Sequence, residues 1–186
     1  MGDLDEVLQK LKKKFGPSLV VSGNDIKVVE CERASTGSFA LDLEVGGGLP
    51  FGRIIEFFGK ESSGKTTMAL KVVASVQKMG KRAVWIDVEH SFDPRWAKVM
   101  GVDVGKLTLS QPQTAEEALE VLEAVLRSNE CGIVVLDSIA ALQPAADLEK
   151  SMDEPERIGS RATLLTRAMG RLLSALNSYN EKDEFN

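Results

Sequence analysis

Apolar positions along the chain recur at two periods, and the first is helical. Leu4, Val7, Leu8, Leu11 and Phe15 lie at i, i+3, i+4, i+7 and i+11, a single stripe along one helix. Lys10, Lys12, Lys13 and Lys14 crowd its last turns, where cations suit the helix dipole, and Gly16-Pro17 stops it. From spacing alone the stripe fits a terminal helix docked on its own core or an arm docked on a neighbouring subunit. Residues 18–33 read as short strands joined by a turn at Ser22-Gly23-Asn24-Asp25, and residues 46–53 as a glycine-rich connection.

Beyond that connection the pattern becomes regular. Arg53 to Phe58 is a short apolar run of strand formers, and Thr66 to Met79 a helix burying Ala69, Val72, Val73 and Val76, with Gly80 just past its end. Ala83 to Val88 is the next strand. Asp93-Pro94 opens a helix with an N-cap aspartate and a first-turn proline, and Gly101 closes it. Leu107 to Ser110 is a strand. Thr114-Ala115-Glu116-Glu117 is a capping box ahead of a helix that buries Leu119, Leu122, Val125 and Leu126. Gly132 to Asp137 is a buried strand and residues 161–178 a last helix. Strands alternating with helices predict an α/β fold with a mostly parallel sheet covered on both faces.

Composition narrows this further. With 23 basic and 28 acidic residues the formal charge is −5, so any nucleic-acid contact has to come from a local patch. An apolar share of 43% excludes a disordered chain. No run approaches the roughly 20 apolar residues of a membrane span. The N-terminus lacks a signal peptide's apolar core. Two cysteines a hundred residues apart, Cys31 and Cys131, have no metal-ligand spacing and suit a reducing cytosol. One histidine, His90, excludes a multi-histidine metal site.

The strongest chemical signal is Gly59-Lys60-Glu61-Ser62-Ser63-Gly64-Lys65-Thr66, a G-x-x-x-x-G-K-T loop between a strand and a helix. Gly59 and Gly64 let successive amides converge on one concavity. The helix that follows offers free N–H groups to phosphate oxygens. Lys65 brings a point charge to the β- and γ-phosphates, and the Thr66 hydroxyl is placed to ligate Mg²⁺.

Ligands in open parallel sheets lie beyond the carboxyl ends of the strands, and two further strands end there in acids. Either acid can also be a helix cap or a salt-bridge partner; beside the phosphate loop, Ile133 to Asp137 reads as delivering Asp137 towards Mg²⁺. Val84 to Glu89 delivers Glu89, a carboxylate able to orient or deprotonate a water. Asp87, two positions earlier, shares the face of Glu89 and is its rival. His90 reads as a structural hydrogen-bonding residue. Trp96 reads as a core aromatic or as a stacking platform for a base.

Several segments, in order, resemble the bacterial RecA recombinase family: ASTGSFALD at 34–42, GGGLPFGRI at 46–54, GKESSGKTT at 59–67, IDVEHSFDP at 86–94, SQPQTAEEAL at 110–119 and VVLDSIAAL at 134–142. The resemblance covers nearly the whole chain. It implies a RecA-like phosphate-loop core over residues 34–186, preceded by a helical polymerisation arm and short strands over residues 1–33. It also implies an ATP- and Mg²⁺-dependent ATPase that forms helical filaments on single-stranded DNA, drives homologous pairing and strand exchange, and promotes the damage (SOS) response in the cytoplasm.

By position, the resemblance places Glu61, Ser62, Ser63, Gly64, Lys65, Thr66 and Thr67 around the triphosphate. Glu89 takes the place of the residue that activates water, Asp137 lies near Mg²⁺, and Asp93 and Trp96 contact adenine. Where the family has tyrosine this chain has Trp96, and both rings stack. Residues 3–15 match the arm that packs on the adjacent subunit. Residues 148–161 match the first DNA-binding loop, with Arg157, Ile158, Gly159 and Arg161 as its contacts. Residues 147–157, however, hold five acids against two bases. The family's next strand, its second DNA loop and its small C-terminal domain have no counterpart before Asn186. The sheet is therefore expected to be incomplete at its centre. An alternative is a non-catalytic module that binds ATP and caps an intact recombinase filament. A nucleotide kinase would need an acceptor-binding segment, and none stands out.

Overall fold

A computed structural model of the chain describes residues 3–25, 31–148 and 159–183. It divides into two compact units, residues 1–31 and 32–186.

The first unit is helix α1 (Asp3–Phe15), with Asp3, Asp5 and Glu6 in its first turn and three lysines in its last, followed by short 3₁₀ turns at Pro17–Leu19 and Gly23–Asp25. The expected turn at Ser22–Asp25 forms at Gly23–Asp25, but no strand precedes it over residues 18–22. Gly16 sits at φ 102° and Pro17 starts the first turn, and the proline's fixed φ suits the start of a helical turn. Residues 26–30 lie outside the described residues. No residue of α1 is buried; of the apolar stripe Leu4, Val7 and Phe15 are exposed, while Leu8 and Leu11 are half-buried.

The second unit opens with a two-residue strand β1 (Arg33–Ala34), helix α2 (Phe39–Glu44) and a two-residue strand β2 (Leu49–Pro50), with β1 and β2 antiparallel. Helix α2 escapes the periodicity reading because it spans only six residues and buries none of them. One side chain fixes this region. Asp42 accepts hydrogen bonds from the Ser35 hydroxyl, the Thr36 amide and the Thr36 hydroxyl at 2.5, 2.7 and 2.7 Å. Those three donors hold its carboxyl below the ordinary carboxylate range, the Ser35 hydroxyl most strongly.

Helix α3 (Lys65–Lys78), strand β3 (Arg82–Asp87), helix α4 (Pro94–Val99), strand β4 (Leu107–Ser110), helix α5 (Ala115–Ser128), strand β5 (Cys131–Asp137), the short helix α6 (Ala145–Leu148) and helix α7 (Ser160–Asp183) follow. The strands form a parallel sheet in the order β4-β3-β5. Central β3 is buried on both faces, as a parallel strand between helical layers must be. Ala83 and Trp85 pack with Leu70, Val73 and Ala74 of α3 and Ala97 of α4. Val84 and Ile86 pack with Ala115 and Ala118 of α5 and Leu142, against Leu164 and Leu165 of α7. The Thr114–Glu117 capping box forms as expected.

The run Arg53 to Phe58, expected as a strand, joins no ladder among the described residues. Phe57 packs into two core clusters, while Phe58 is 86% exposed. A strand needs a neighbour to pair with. Both sides of β3 are taken, and β5 has a described neighbour on one side only.

Candidate functional site

The site grows from the turn between Phe58 and α3. Gly59 has φ 154°, Ser62 φ 57° and Gly64 φ 90°. Gly64 is the left-handed N-cap of α3, a conformation that glycine adopts without the penalty a Cβ brings. A Cβ on Gly59 would lie 3.0 Å from the Ser63 hydroxyl oxygen. The Ser63 amide donates to the Lys60 carbonyl at 3.3 Å, and Met68 closes the first helical turn on the Gly64 carbonyl at 2.8 Å. The Lys65 ammonium folds back over the loop and donates to the carbonyls of Gly59 and Lys60 at 3.1 and 2.9 Å. A helix start leaves its first amides without intrahelical acceptors, so Lys65, Thr66 and Thr67 begin α3 as N–H donors facing the concavity. Glu61, Ser62 and Ser63 are exposed on the loop.

The other half comes from the ends of β3 and β5. Asp87 and Asp137 are register partners, and the Val88 amide continues the ladder onto the Asp137 carbonyl at 2.8 Å. Across 71 residues of chain the Thr66 hydroxyl donates to Asp137 Oδ2 at 3.0 Å. That bond joins the phosphate loop to β5. Partial burial holds the Asp137 carboxyl above its ordinary value. The Thr66 hydrogen bond opposes the rise, Glu89 and Asp87 add to it, and Lys65 opposes it. Thr66 and Asp137 are two hard oxygen donors side by side, a set that suits Mg²⁺ completing its octahedron with phosphate and water. Among the described residues no cluster of three acids, cysteines or histidines forms a cage.

Glu89 lies past the end of β3 and is exposed. Its Oε1 accepts the Ser138 hydroxyl at 2.5 Å, so Glu89, Ser138, Asp137 and Thr66 form one connected set. Asp87 is 1% exposed and accepts from the Ser91 and Phe92 amides and the Gln111 side chain, which makes it a scaffold for the turn rather than a solvent-facing base. His90 is exposed at φ 53°, the left-handed corner of that turn.

Asp93 caps α4 by accepting the Arg95 amide at 2.7 Å, and Trp96 in α4 is 44% exposed. Gly59, Lys65, Thr66, Asp137 and Glu89 are thus connected directly or through Ser138, with Asp93 and Trp96 following on the connection after β3. Arg157 and Ile158 lie outside the described residues. Gly159 has φ 85° and accepts the Thr163 amide, and the Arg161 guanidinium donates to the Ala140 carbonyl at 2.9 Å.

Ser138 and Gln111 were not singled out by sequence reasoning. Ser138 follows Asp137 directly and could have been suspected as a neighbour of that acidic strand end. Gln111 stands one residue past the end of β4, at the ligand end of the sheet, and carried no other signal.

The RecA N-terminal domain family model matches residues 2–185. Protein RecA of Clostridium novyi is 44% identical over 178 residues, covering 95% of this chain and 51% of that protein. Protein RecA of Aquifex pyrophilus is 45% identical over 181 residues, 97% of this chain and 52% of that protein. Protein RecA of Clostridioides difficile is 45% identical over 178 residues, again 95% and 51%. The chain spans about half the length of these curated relatives. A glycine-bounded turn into α3 whose Thr66 hydrogen-bonds β5, an α/β core around a parallel sheet and a match along nearly the whole chain agree, and the chain belongs to the RecA family through its N-terminal domain.

Proposed function

We propose that this chain is the nucleotide-binding portion of a DNA-dependent ATPase that works as a recombinase and repair protein. The observation that carries the proposal is the Thr66–Asp137 hydrogen bond, which sets a hydroxyl and a carboxylate at the mouth of a phosphate loop. The amides at the start of α3 hold the β- and γ-phosphates of ATP, and Lys65 leaves the Gly59 and Lys60 carbonyls to meet them. Mg²⁺, when bound, neutralises phosphate charge as transfer proceeds, and Thr66 and Asp137 are the residues that would hold it. Glu89, steadied by Ser138, orients the water that attacks the γ-phosphate. Asp93 and Trp96 contact the adenine, the ring by stacking.

In this reading Arg157, Ile158, Gly159 and Arg161 touch single-stranded DNA, and the apolar stripe of residues 3–15 packs on the next subunit of a helical filament. Homologous pairing, strand exchange and promotion of the SOS response belong to that filament. Two cysteines a hundred residues apart, without metal-ligand spacing, suit a cytoplasmic setting, and no helix among the described residues is long and apolar enough to cross a membrane.

Calorimetry of magnesium-ATP with the chain and its Lys65→Met variant tests the core of the proposal. Losing one charge-assisted contact of about 1.5–3 kcal/mol predicts affinity lower by roughly one to two powers of ten. Identical heats and affinities in the two proteins would remove the phosphate-loop assignment. ATP hydrolysis by the same chain, measured with and without single-stranded DNA, tests the DNA dependence, and a rate indifferent to DNA speaks against it.

A further inference from the structure

The proposed chemistry makes no use of Asp87, yet at 1% exposure it is among the most buried side chains described. A buried carboxylate is costly unless donors surround it. Here Oδ1 accepts the Ser91 amide at 3.1 Å, and Oδ2 accepts the Phe92 amide at 3.1 Å and the Gln111 amide nitrogen at 3.0 Å. Two of these donors belong to the connection that leaves β3. The third arrives from the end of β4 and ties that connection to the sheet. A second anchor supports the same spot, because the Phe92 ring rests on Trp85 with centroids 5.6 Å apart and planes at 57°. Between the strand and these anchors His90 takes a left-handed turn at φ 53°, and directly after them Asp93 caps the helix that carries the half-open Trp96.

We propose that Gln111 is a positioning residue for recognition of the nucleotide's base, acting through Asp87 to fix the segment that presents Asp93 and Trp96. The inference rests on the proposed base contacts of those two residues and deepens that reading. The phosphate loop is a separate stretch of chain, held by bonds among Gly59, Lys60, Ser63 and Lys65. Loss of Gln111 therefore uncouples the two halves of nucleotide binding. Without it Asp87 Oδ2 keeps one donor and the Ser91–Phe92 turn loses its tie to β4, while the phosphate cradle keeps every bond of its own. The position needs an N–H donor, because Gln111→Glu sets a second carboxylate against Asp87 in the same volume and offers no N–H.

The test is calorimetry on the whole 186-residue chain and its Gln111→Leu and Gln111→Glu variants, with magnesium-ATP and with magnesium-tripolyphosphate, which has the phosphates and no base. Gln111→Leu is expected to weaken ATP binding roughly tenfold, the worth of one hydrogen bond to a charged group. Gln111→Glu is expected to weaken it more. Tripolyphosphate affinity stays unchanged in both variants, which also shows that they are folded. Equal losses for both ligands, or no loss for ATP, overturn the inference. A wild-type chain that binds ATP no better than tripolyphosphate removes the base-contact reading itself. A wild-type preference for ATP that survives in both variants removes only the role of Gln111.

Discussion

Thr66→Val is the most informative single change in the site. Valine keeps the β-branched shape at the start of α3, so the substitution exchanges one hydroxyl for a methyl group and little else. The lost bond is the 3.0 Å contact to Asp137 Oδ2. A hydrogen bond to a charged group contributes about 1.5–3 kcal/mol when buried. Thr66 is exposed and Asp137 only partly buried, so water replaces much of the loss and the cost should be near 1 kcal/mol. For a chain of this size that is a fall of about 2–4 °C in Tm.

The pH dependence gives the prediction its edge. Asp137 is held above its ordinary 3.8 in the fold. The native state therefore keeps a proton that the unfolded chain releases, and stability falls as pH rises from that value to the raised one. The Thr66 hydroxyl opposes the rise. Removing it extends the window upward, and the Thr66→Val penalty should grow from acid to neutral pH. Differential scanning calorimetry across that range checks this. A second readout is the ratio of ATP affinity with and without magnesium, which should shrink roughly tenfold in Thr66→Val if the hydroxyl ligates the ion. A penalty that does not change with pH, together with an unchanged magnesium ratio, would refute both the electrostatic account of Asp137 and its pairing with Thr66.

Other expectations follow from the same geometry. Asp137→Asn removes a like charge beside Glu89 and Asp87, so at neutral pH it should raise Tm while abolishing the magnesium enhancement of ATP affinity. A variant less stable than wild type at neutral pH would contradict this. Trp85→Ala empties the space of a side chain 1% exposed and should cost about 3–5 kcal/mol in urea unfolding. A loss under about 1 kcal/mol would mean that the face of β3 towards α3 and α4 does not pack as described. Gly48→Ala would place a Cβ 2.5 Å from the Ala34 carbonyl oxygen at φ +113° and should lower stability by about 1–3 kcal/mol, measurable as a shift in the urea midpoint. Glu123 accepts from Arg127 and Arg171 at 2.9 and 2.6 Å, and its carboxyl is lowered first by the Arg127 hydrogen bond. That stabilisation is present above 4.5 and lost as pH falls through the lowered value. Unfolding curves of wild type and Glu123→Gln should therefore differ at neutral pH and converge in acid.

Much of the scaffold is local and so legible in the sequence. Asp93-Pro94 and the Thr114–Glu117 box mark helix starts because caps act within one turn, and Gly64-Lys65-Thr66 marks the turn into α3 because its signal is contiguous. What stayed hidden depends on partners far along the chain. Glu89 and Asp87 share a face at a two-residue period, and they part only because Ser91, Phe92 and Gln111 enclose one of them while Ser138 meets the other. Arg53 to Phe58 has strand composition, but pairing is a property of two segments. Helix α2 was invisible to periodicity because it buries nothing. Its order comes from Asp42 reaching back to Ser35 and Thr36.

The grip of Arg161 on the Ala140 carbonyl separates two quantities that are often read as one. A neutral carbonyl satisfies a guanidinium N–H without cancelling its charge, so the side chain can still neutralise a phosphate. In its proposed role on single-stranded DNA, Arg161 would still displace a cation condensed on the strand and add about 0.7 to the slope of affinity against salt. It would also surrender an internal bond worth about 0.5–1.5 kcal/mol. Titrations in sodium chloride would then count an arginine whose share of the binding energy is close to nil.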